Sequence, residues 1–202
     1  MLHVRHLSGP HFGPIDLRLA PRELLCLYGP SGVGKSQLMR ALADLDPHEG
    51  EVLLADVPQQ AVRPTEWRRQ VAYLPAESGW WAPRAGQHFA MAPSPEALAA
   101  LGLAPDILER EVEGLSTGER QRLGLLRMLE QRPRVLLLDE PSANLDPEST
   151  LLMEACIRRY LDETQAAAIW VSHDPAQRGR IADRSIELKA RGGHEPDRTD
   201  GL

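Results

Sequence analysis

The chain has 202 residues and a formal net charge of -6. This length fits one domain that buries most of its apolar surface, and the charge gives no overall basic field for nucleic acid as the main partner. No apolar run approaches the roughly 18 residues of a membrane-spanning helix, and the first residues lack the apolar core of a signal peptide. Cys26 and Cys156 stand far apart in apolar surroundings, so we expect reduced thiols and a cytoplasmic chain.

In the first half of the chain, the apolar pattern predicts five strands and one helix. Alternating and continuous apolar runs predict strands at 2–7, 15–19, 24–28, 51–55 and 71–74, the first two as antiparallel edge strands. After a glycine-rich turn, Leu38, Leu42 and Leu45 recur at helical spacing. This spacing predicts a helix that ends at Asp46-Pro47.

The second half predicts helices that alternate with strands. Proline, alanine and glycine dominate residues 76–110, where the apolar spacing predicts a small insertion of short helices. A longer helix is predicted over 116–131, because Ser116 and Glu119 form a capping-box pattern at its start. Strands at 135–138 and 167–171 follow, with a helix at 147–163 between them. The alternation predicts an α/β fold with a mainly parallel sheet, and the polar tail at 191–202 is expected to be disordered.

The turn after the third predicted strand has the pattern of a phosphate-binding loop. It matches G-x-x-x-x-G-K-[ST] and stands between a predicted strand and a predicted helix, as the motif requires. Glycines let backbone N–H groups turn toward a phosphate, Lys35 supplies a full charge to the β and γ oxygens, and Ser36 offers a hydroxyl to Mg²⁺. The predicted nucleotide-binding residues are Gly29, Pro30, Ser31, Gly32, Val33, Gly34, Lys35 and Ser36.

Residues 134–140 form a second pattern, an apolar strand that ends in the carboxylates Asp139 and Glu140. The first carboxylate can hold Mg²⁺ through its water shell, and the second can orient the water that attacks the γ-phosphate. We therefore predict Asp139 as a metal ligand and Glu140 as a catalytic residue. ATP and Mg²⁺ are the expected cofactors.

Three further motifs indicate which class of phosphate-loop protein this is. Residues 115–122, LSTGERQR, resemble the signature of ABC ATPases, which is usually LSGGQ followed by basic residues. Residues 141–146, PSANLD, resemble the D-loop of that family, and residues 171–174, VSHD, resemble its switch-histidine strand end. The chain thus resembles the ATP-binding subunit of an ABC transporter, within the P-loop NTPase superfamily. A weaker similarity is to the compact bacterial iron-export and lipoprotein-release subunits.

The resemblance implies both a fold and a mechanism. It implies one domain over residues 1–190, a P-loop NTPase core with N-terminal antiparallel strands and a small inserted helical subdomain at about 76–131. It also implies a dimer, most simply a homodimer, that clamps each ATP between the phosphate loop of one chain and the signature of the other. The signature residues involved would be Ser116, Thr117, Gly118 and Glu119. His173 would join Lys35 and Glu140 as a catalytic residue, and Asp146 would connect the two sites.

The sequence departs from the family pattern after the strand that is followed by Pro75. The family usually has a glutamine there that touches Mg²⁺ and senses the membrane partner, whereas this chain has Ala76 and then Glu77. We expect Glu77 to act as a metal ligand in its place, because a carboxylate is an equally suitable hard oxygen ligand. Thr117 and Glu119 also replace the usual glycine and glutamine of the signature, and the family tolerates variants at both positions.

The aromatic residues are unusual for this family. An aromatic residue near the N-terminus is expected to stack on adenine. No tyrosine precedes Tyr28, so His6, His11 and Phe12 are the candidates. Trp80 and Trp81 are adjacent in a glycine and proline context, where family members receive the coupling helix of a membrane subunit. They predict either a partner surface or simple packing within the helical insertion.

The leading interpretation is the ATPase subunit of an ABC transporter, bound to a separate integral membrane permease on the cytoplasmic face of the inner membrane. An alternative is a soluble ABC ATPase that acts on the ribosome or on DNA. Those proteins usually carry two such domains or long coiled-coil arms, and this chain has neither a duplication nor heptads. A small-molecule or nucleoside kinase is a third reading, against which the signature and His173 argue.

Overall fold

The computed structural model describes residues 1–189, which form nine strands and six α-helices. The strands are β1 Leu2–Ser8, β2 Ile15–Leu19, β3 Leu24–Tyr28, β4 Glu49–Leu54, β5 Val57–Pro58, β6 Val71–Leu74, β7 Val135–Asp139, β8 Ala167–Val171 and β9 Arg184–Glu187. The helices are α1 Lys35–Leu42, α2 Pro64–Gln70, α3 Pro95–Ala99, α4 Thr117–Glu130, α5 Pro147–Thr164 and α6 Pro175–Ile181. The tail at 191–202, for which disorder is predicted, lies outside the described residues.

The N-terminal sheet is antiparallel, and its strand order is β2-β1-β4-β5. Leu2 of β1 stands opposite Leu19 of β2 on one side and Leu54 of β4 on the other. β1 is therefore an interior strand, so the prediction of an edge strand is wrong for β1 and confirmed for β2. The local pattern of β1 could not show this, because β4 joins it from far along the sequence.

The second sheet is parallel throughout, with the order β6-β7-β8-β3-β9. Every residue of β7 and β8 is buried, because one face of the sheet packs into a core with α1 and the other into a core with α4 and α5. Parallel strands end at one edge of a sheet, so the segments that follow β3, β7 and β8 lie side by side. The predicted α/β fold with a mainly parallel sheet and N-terminal antiparallel strands is confirmed.

The first helix is shorter than its leucine spacing predicts. α1 ends at Leu42 rather than at Asp46-Pro47, and Leu45 lies beyond it with an exposed side chain. Asp44 has a left-handed backbone with φ 58°, and the Leu45 N–H donates to the Arg40 carbonyl at 2.8 Å. This closure satisfies a free carbonyl of the last turn, so the helix ends before the proline is reached.

Four short elements were not predicted from the sequence: β5, α2, α6 and β9. Each has two to seven residues, which is too short for a helical or alternating period to stand out. α2 is fixed by tertiary contacts, since Trp67 is buried and its indole N–H donates to the Leu42 carbonyl at 2.9 Å. Propensity alone does not reveal such an anchor.

The segment 76–114 contains α3 and three short 3-10 helices, in agreement with the predicted insertion of short helices. Its buried residues Leu98, Leu101 and Ile107 pack in the same core as Leu123 of α4. The boundary of a helical subdomain at 76–131 stays a prediction. Within residues 1–189, no helix combines the length and the apolar character needed to cross a membrane.

The two cysteines are buried and free, as predicted. Burial raises the pKa of Cys26 to about 12, and it raises the pKa of Cys156 as well. Both side chains are therefore neutral thiols at physiological pH, which suits residues that fill a core.

Candidate functional site

The phosphate loop joins β3 to α1 and requires glycine at two positions. Gly29 has a φ of 147° and Gly34 a φ of 101°, a region that other residues rarely adopt. A Cβ atom on Gly34 would lie 2.9 Å from the carbonyl oxygen of His11, and one on Gly29 would lie 2.3 Å from that of Leu188. The loop ends at the N-terminus of α1, where backbone N–H groups are free to bind an anion.

Lys35 lies in this loop with only 7% of its surface exposed. Its Nζ donates to the carbonyl oxygens of Gly29 at 2.9 Å and Pro30 at 3.0 Å. Burial lowers the pKa of Lys35, while the negative charges of Glu140 and Asp139 act in the opposite direction. The lysine therefore lies in the electrostatic field of both predicted carboxylates, although a long stretch of sequence separates them.

Asp139 is buried at the end of β7 and is held by a residue that the sequence did not single out. The hydroxyl of Tyr73, on the neighbouring strand β6, donates to Asp139 Oδ2 at 2.9 Å. Burial raises the pKa of Tyr73, and the adjacent Asp139 charge raises it further. Tyr73 lies on β6, and it reaches Asp139 only because β6 pairs with β7.

Glu140 and His173 meet at the carboxyl edge of the parallel sheet. His173 Nε2 lies 3.0 Å from Glu140 Oε1, and both side chains stay half-exposed to solvent. Glu140 has a left-handed backbone with φ 49°, which is uncommon for a residue other than glycine. The structure thus brings the predicted catalytic residues Glu140 and His173 into contact.

The signature residues form a complete capping box at the start of α4. Ser116 Oγ accepts a hydrogen bond from the Glu119 N–H at 3.1 Å, and Glu119 Oε2 accepts one from the Ser116 N–H at 2.8 Å. Arg110 donates to Glu119 Oε1 at 2.8 Å. Burial alone would raise the pKa of Glu119, but the bonds from Ser116 and Arg110 hold it below its ordinary value.

The signature packs against the D-loop of its own chain rather than against the phosphate loop. A Cβ atom on Gly118 would lie 3.1 Å from a Leu145 methyl group and 3.3 Å from the Asn144 carbonyl oxygen. Asp146 caps α5, since its Oδ1 accepts from the Ser149 N–H at 2.9 Å. Among the described residues, no hydrogen bond or ion pair joins 116–119 to 29–36, so one chain does not bring these two predicted parts of the nucleotide site together.

The segment that lacks the family glutamine is attached to α4. Gln121 of α4 is buried; its Nε2 donates to the Pro75 carbonyl at 3.0 Å, and its Oε1 accepts from the Ser78 hydroxyl at 3.3 Å. Ala76 and Glu77 are exposed, and Glu77 forms no ion pair within residues 1–189. Nor does this part of the chain hold any cluster of three or more His, Cys, Asp or Glu residues that could enclose a metal ion. Across the residues that the structure describes, no hydrogen bond joins Glu77 to the residues that contact Asp139.

The three candidates for stacking on adenine differ in accessibility. Phe12 is 1% exposed and belongs to the core, so it cannot present its ring to a ligand. His6 is exposed and lies 3.2 Å from Asp16, on the antiparallel sheet. His11 is exposed, and its carbonyl oxygen approaches Gly34 of the phosphate loop. His11 is the candidate that stands at the loop.

The adjacent tryptophans have different surroundings. Trp80 packs partly buried against the core of α4 and α5, whereas Trp81 is 72% exposed. The Arg127 guanidinium stacks on both indoles, 4.7 Å from the Trp80 ring centre and 4.8 Å from that of Trp81, and donates to the Gly79 carbonyl at 3.0 Å. Packing therefore explains Trp80, and Trp81 remains an exposed aromatic surface.

Trp81 lies at a large open cleft of about 1020 Å³ between β6 and α4. Met91, also strongly exposed, lies on the same cleft. Arg68, Arg69 and Arg127 line it with Glu130, so the cleft is more basic than the chain as a whole. Exposed apolar side chains that are bordered by charged residues are typical of a surface that binds another protein.

Comparison with known proteins gives one consistent result. The family described as ABC transporter matches residues 12–143 of the chain. The molybdenum import ATP-binding protein ModC of Bordetella pertussis is 34% identical over 93% of this chain and 56% of its own length. The phosphate import ATP-binding protein PstB of Aeropyrum pernix is 36% identical over 86% of this chain and 79% of its own. This chain thus spans little more than half the length of ModC.

Solved structures share the fold at low sequence identity. A dimeric ATP-binding cassette in a post-hydrolysis state, bound to ADP and phosphate, superposes with a TM-score of 0.81 at 21% identity over the whole of both chains. An ATP-binding subunit of an ABC transporter superposes with a TM-score of 0.83 at 20% identity, over 93% of this chain and 85% of the other. The relatives named above are import subunits, and the finer resemblance to iron-export and lipoprotein-release subunits stays a prediction.

Proposed function

The chain belongs to the ABC transporter family, and from that premise we propose that it binds and hydrolyses ATP to power a separate membrane permease. One observation carries the proposal: Glu140 and His173 lie 3.0 Å apart at the sheet edge that also holds the phosphate loop. The charge on Lys35 lies in the field of Glu140 and Asp139 as well. These are the parts that phosphoryl transfer to water requires.

The phosphate end of ATP is bound by the loop. Backbone N–H groups of residues 29–36, of which Pro30 has none, and the Lys35 ammonium group bind the β and γ oxygens. Lys35 exchanges its two carbonyl contacts for the phosphate. His11 is the residue that we assign to the adenine ring. Because the His11 side chain is exposed whereas Phe12 is buried, His11 can contact the base without rearrangement of the core.

The residues present suit a magnesium ion. Ser36 offers a hydroxyl oxygen and Asp139 a carboxylate, which are the hard oxygen ligands that Mg²⁺ prefers. Mg²⁺, when bound, would neutralise charge on the β and γ phosphates. Glu77 could add a third oxygen ligand if its exposed segment moves toward Asp139. If Glu77→Ala leaves the Mg²⁺ dependence of hydrolysis unchanged, this assignment of Glu77 is wrong.

Glu140 and His173 act on the hydrolysis step. Glu140 accepts a hydrogen bond from the attacking water and orients it toward the γ-phosphate. His173, held at 3.0 Å from Glu140, contacts the γ-phosphate side of the nucleotide. The two half-exposed side chains leave room for the water between protein and nucleotide.

The active form that we propose is a homodimer in which Ser116, Thr117, Gly118 and Glu119 of one chain complete the site of the other. The separation of the signature from the phosphate loop within one chain supports this arrangement. The helix start that Ser116 caps adds a partial positive charge for the γ-phosphate. Hydrolysis removes the charge that both halves share, and the dimer then opens.

A mixing experiment tests the shared site. Lys35→Ala should disable the phosphate loop, and Ser116→Arg should block the signature. A symmetric dimer of either variant then has two defective sites, whereas a mixed dimer has one site with both defects and one with none. Equal mixing should restore roughly a quarter of the wild-type hydrolysis rate, since about half of the dimers are mixed. No recovery in a mixture shown to form mixed dimers, or full hydrolysis by an isolated monomer, would contradict the shared site.

The partner that we propose is an integral membrane permease, which holds this chain on the cytoplasmic face of the cell membrane. A short segment of the permease would occupy the cleft beside Trp81 and Met91. The exposed apolar side chains and the basic lining support this, because they fit an amphipathic segment that carries acidic residues. Trp80 is partly buried against the core of α4 and α5 whereas Trp81 is 72% exposed, so Trp81 replaces it as the contact to test.

A matched pair of variants tests the cleft. Trp81→Ala should abolish co-purification with the permease and leave basal ATP hydrolysis unchanged. Val57→Ala removes another exposed apolar side chain, on the antiparallel sheet, and should change neither property. Undiminished permease binding by Trp81→Ala would rule out this surface.

A further inference from the structure

Gln177 on α6 is buried and makes three side-chain hydrogen bonds. It is 4% exposed. Its Oε1 accepts from the Ser172 hydroxyl at 2.7 Å, and its Nε2 donates to Ser142 Oγ at 2.9 Å and to Glu154 Oε1 at 2.8 Å. The amide thus uses its carbonyl oxygen and both N–H groups, which is a strongly specified arrangement for a buried side chain. None of these contacts was expected from the sequence.

The carboxylate of Glu154 sets the orientation of this amide. A carboxylate only accepts hydrogen bonds, so the Gln177 NH₂ group must face Glu154 and the carbonyl oxygen must face Ser172. Ser172 then donates its hydroxyl proton to Gln177 and accepts the Asp174 N–H at 3.2 Å. His173 lies between Ser172 and Asp174 in the sequence. The Ser172 hydroxyl therefore holds the residue before His173 and the N–H of the residue after it.

Arg180 holds Glu154 in turn. Glu154 is 7% exposed, and Arg180 binds it with Nε at 2.8 Å from Oε2 and Nη2 at 2.7 Å from Oε1. The hydrogen bond with Glu154 raises the pKa of Arg180, so the guanidinium stays charged. A buried carboxylate that is paired and fully hydrogen-bonded is a fixed anchor, which here joins α5 to α6.

The Gln177 amide connects the two loops that carry Glu140 and His173. Ser142 follows Glu140 by two residues, and Ser172 immediately precedes His173. Both loops line a cleft of about 520 Å³, together with Gln177. Because one amide bonds both serines, a shift of either loop would break a buried hydrogen bond as well as the 3.0 Å contact between Glu140 and His173.

We propose that Gln177 is a positioning residue that fixes the distance between Glu140 and His173, with Glu154 and Arg180 as its anchor. It acts through Ser142 and Ser172. The proposal rests on the proposed ATP hydrolysis and adds to it the device that aligns the two catalytic side chains. Loss of the device should lower the rate of the chemical step and leave ATP binding intact, because the network contacts the loops that carry Glu140 and His173 and not the phosphate loop.

An exchange of amide and carboxylate tests this directly. Gln177→Glu places two carboxylate oxygens at the 2.8 Å contact in place of a donor and an acceptor, so they repel. We expect kcat for ATP to fall about tenfold or more, with KM within about twofold of wild type. The double variant Gln177→Glu with Glu154→Gln removes the repulsion between two carboxylates and keeps the net charge, but the NH₂ group of its new amide takes the place of Oε1 and so also faces the Arg180 Nη2 donor. Its kcat should therefore rise above that of Gln177→Glu and stay below that of wild type.

A matched control separates positioning from general destabilisation. Glu23 is a largely buried carboxylate that Arg184 holds at 2.8 and 3.0 Å, at the start of β3 and away from the phosphate end. Glu23→Gln should lower the thermal unfolding midpoint with kcat unchanged. Gln177→Met, which keeps the volume without hydrogen bonds, gives a second test if Gln177→Glu does not fold, and its kcat should fall in the same way.

The outcomes distinguish this proposal from the proposed function. If wild-type protein does not hydrolyse Mg²⁺-ATP, the proposed function fails and Gln177 has no catalytic pair to position. If wild type hydrolyses ATP and a folded Gln177→Glu or Gln177→Met variant keeps its kcat, only the positioning role is overturned. A double exchange that stays as slow as Gln177→Glu would also overturn it.

Discussion

The carboxyl edge of the parallel sheet and the start of α4 are both candidate nucleotide contacts, yet they are built in opposite ways. At the sheet edge, groups from separate loops converge: Lys35 lies in the field of Asp139 and Glu140, and Glu140 contacts His173. At the start of α4, Ser116 and Glu119 are neighbours in sequence and bond to each other. The first arrangement needs the whole fold, whereas the second needs one turn of helix.

This difference has a consequence for function. The sheet edge presents charged side chains that only partly satisfy one another and are open to a ligand, since Glu140 and His173 are half-exposed. The helix start has its side chains engaged, because Glu119 accepts bonds from the Ser116 N–H and from Arg110. Disruption of the first should therefore affect chemistry, and disruption of the second should first affect local stability.

The largest effect is expected from Glu140→Gln at the sheet edge. This change keeps the shape of the side chain but removes its negative charge and replaces one accepting oxygen by a donating NH₂ group, so the attacking water is held less well and kcat should fall by roughly 10²–10⁴. Binding of ATP, measured at equilibrium, should persist. Glu51→Gln on the antiparallel sheet should hydrolyse ATP at the wild-type rate. Hydrolysis by Glu140→Gln within tenfold of wild type would argue that Glu140 is not the group that orients the water.

A smaller effect is expected from Tyr73→Phe, which removes a hydrogen bond to Asp139 but keeps the Asp139 carboxylate itself. The change deletes a hydrogen bond to a buried carboxylate, a contact of about 1.5–3 kcal/mol. Urea unfolding at neutral pH should report a loss of stability in that range. An unchanged midpoint and slope would indicate that another group takes over Asp139 Oδ2.

The smallest effect is expected from Glu119→Gln at the start of α4, with a defined pH dependence. The pKa of Glu119 is lowered in the folded protein, so the ionised side chain stabilises the fold above its ordinary pKa. That contribution is lost as pH falls through the lowered value. Denaturation should show wild type about 1 kcal/mol more stable than Glu119→Gln at pH 7, with the difference vanishing in strong acid. A difference that persists there would exclude the carboxylate charge as its origin.

Local sequence patterns determined much of this protein. The phosphate loop, the capping box at Ser116 and the buried strands β3, β7 and β8 follow from residues that are adjacent or periodically spaced. Each depends on contacts within one turn or one strand, so the sequence contains the necessary information. The order of the motifs from Gly29 to Asp174 also indicated the family, which the match over residues 12–143 shows.

Tertiary structure alone decided the contacts between distant segments. Pairing of β6 with β7 brings Tyr73 to Asp139, and the packing of α5 on α6 places Glu154 beside Gln177. The interior position of β1 was likewise set by β4, which joins it from far along the chain. These contacts join residues with no fixed spacing in sequence, and their energies depend on burial and alignment, which exist only once the strands and helices have packed.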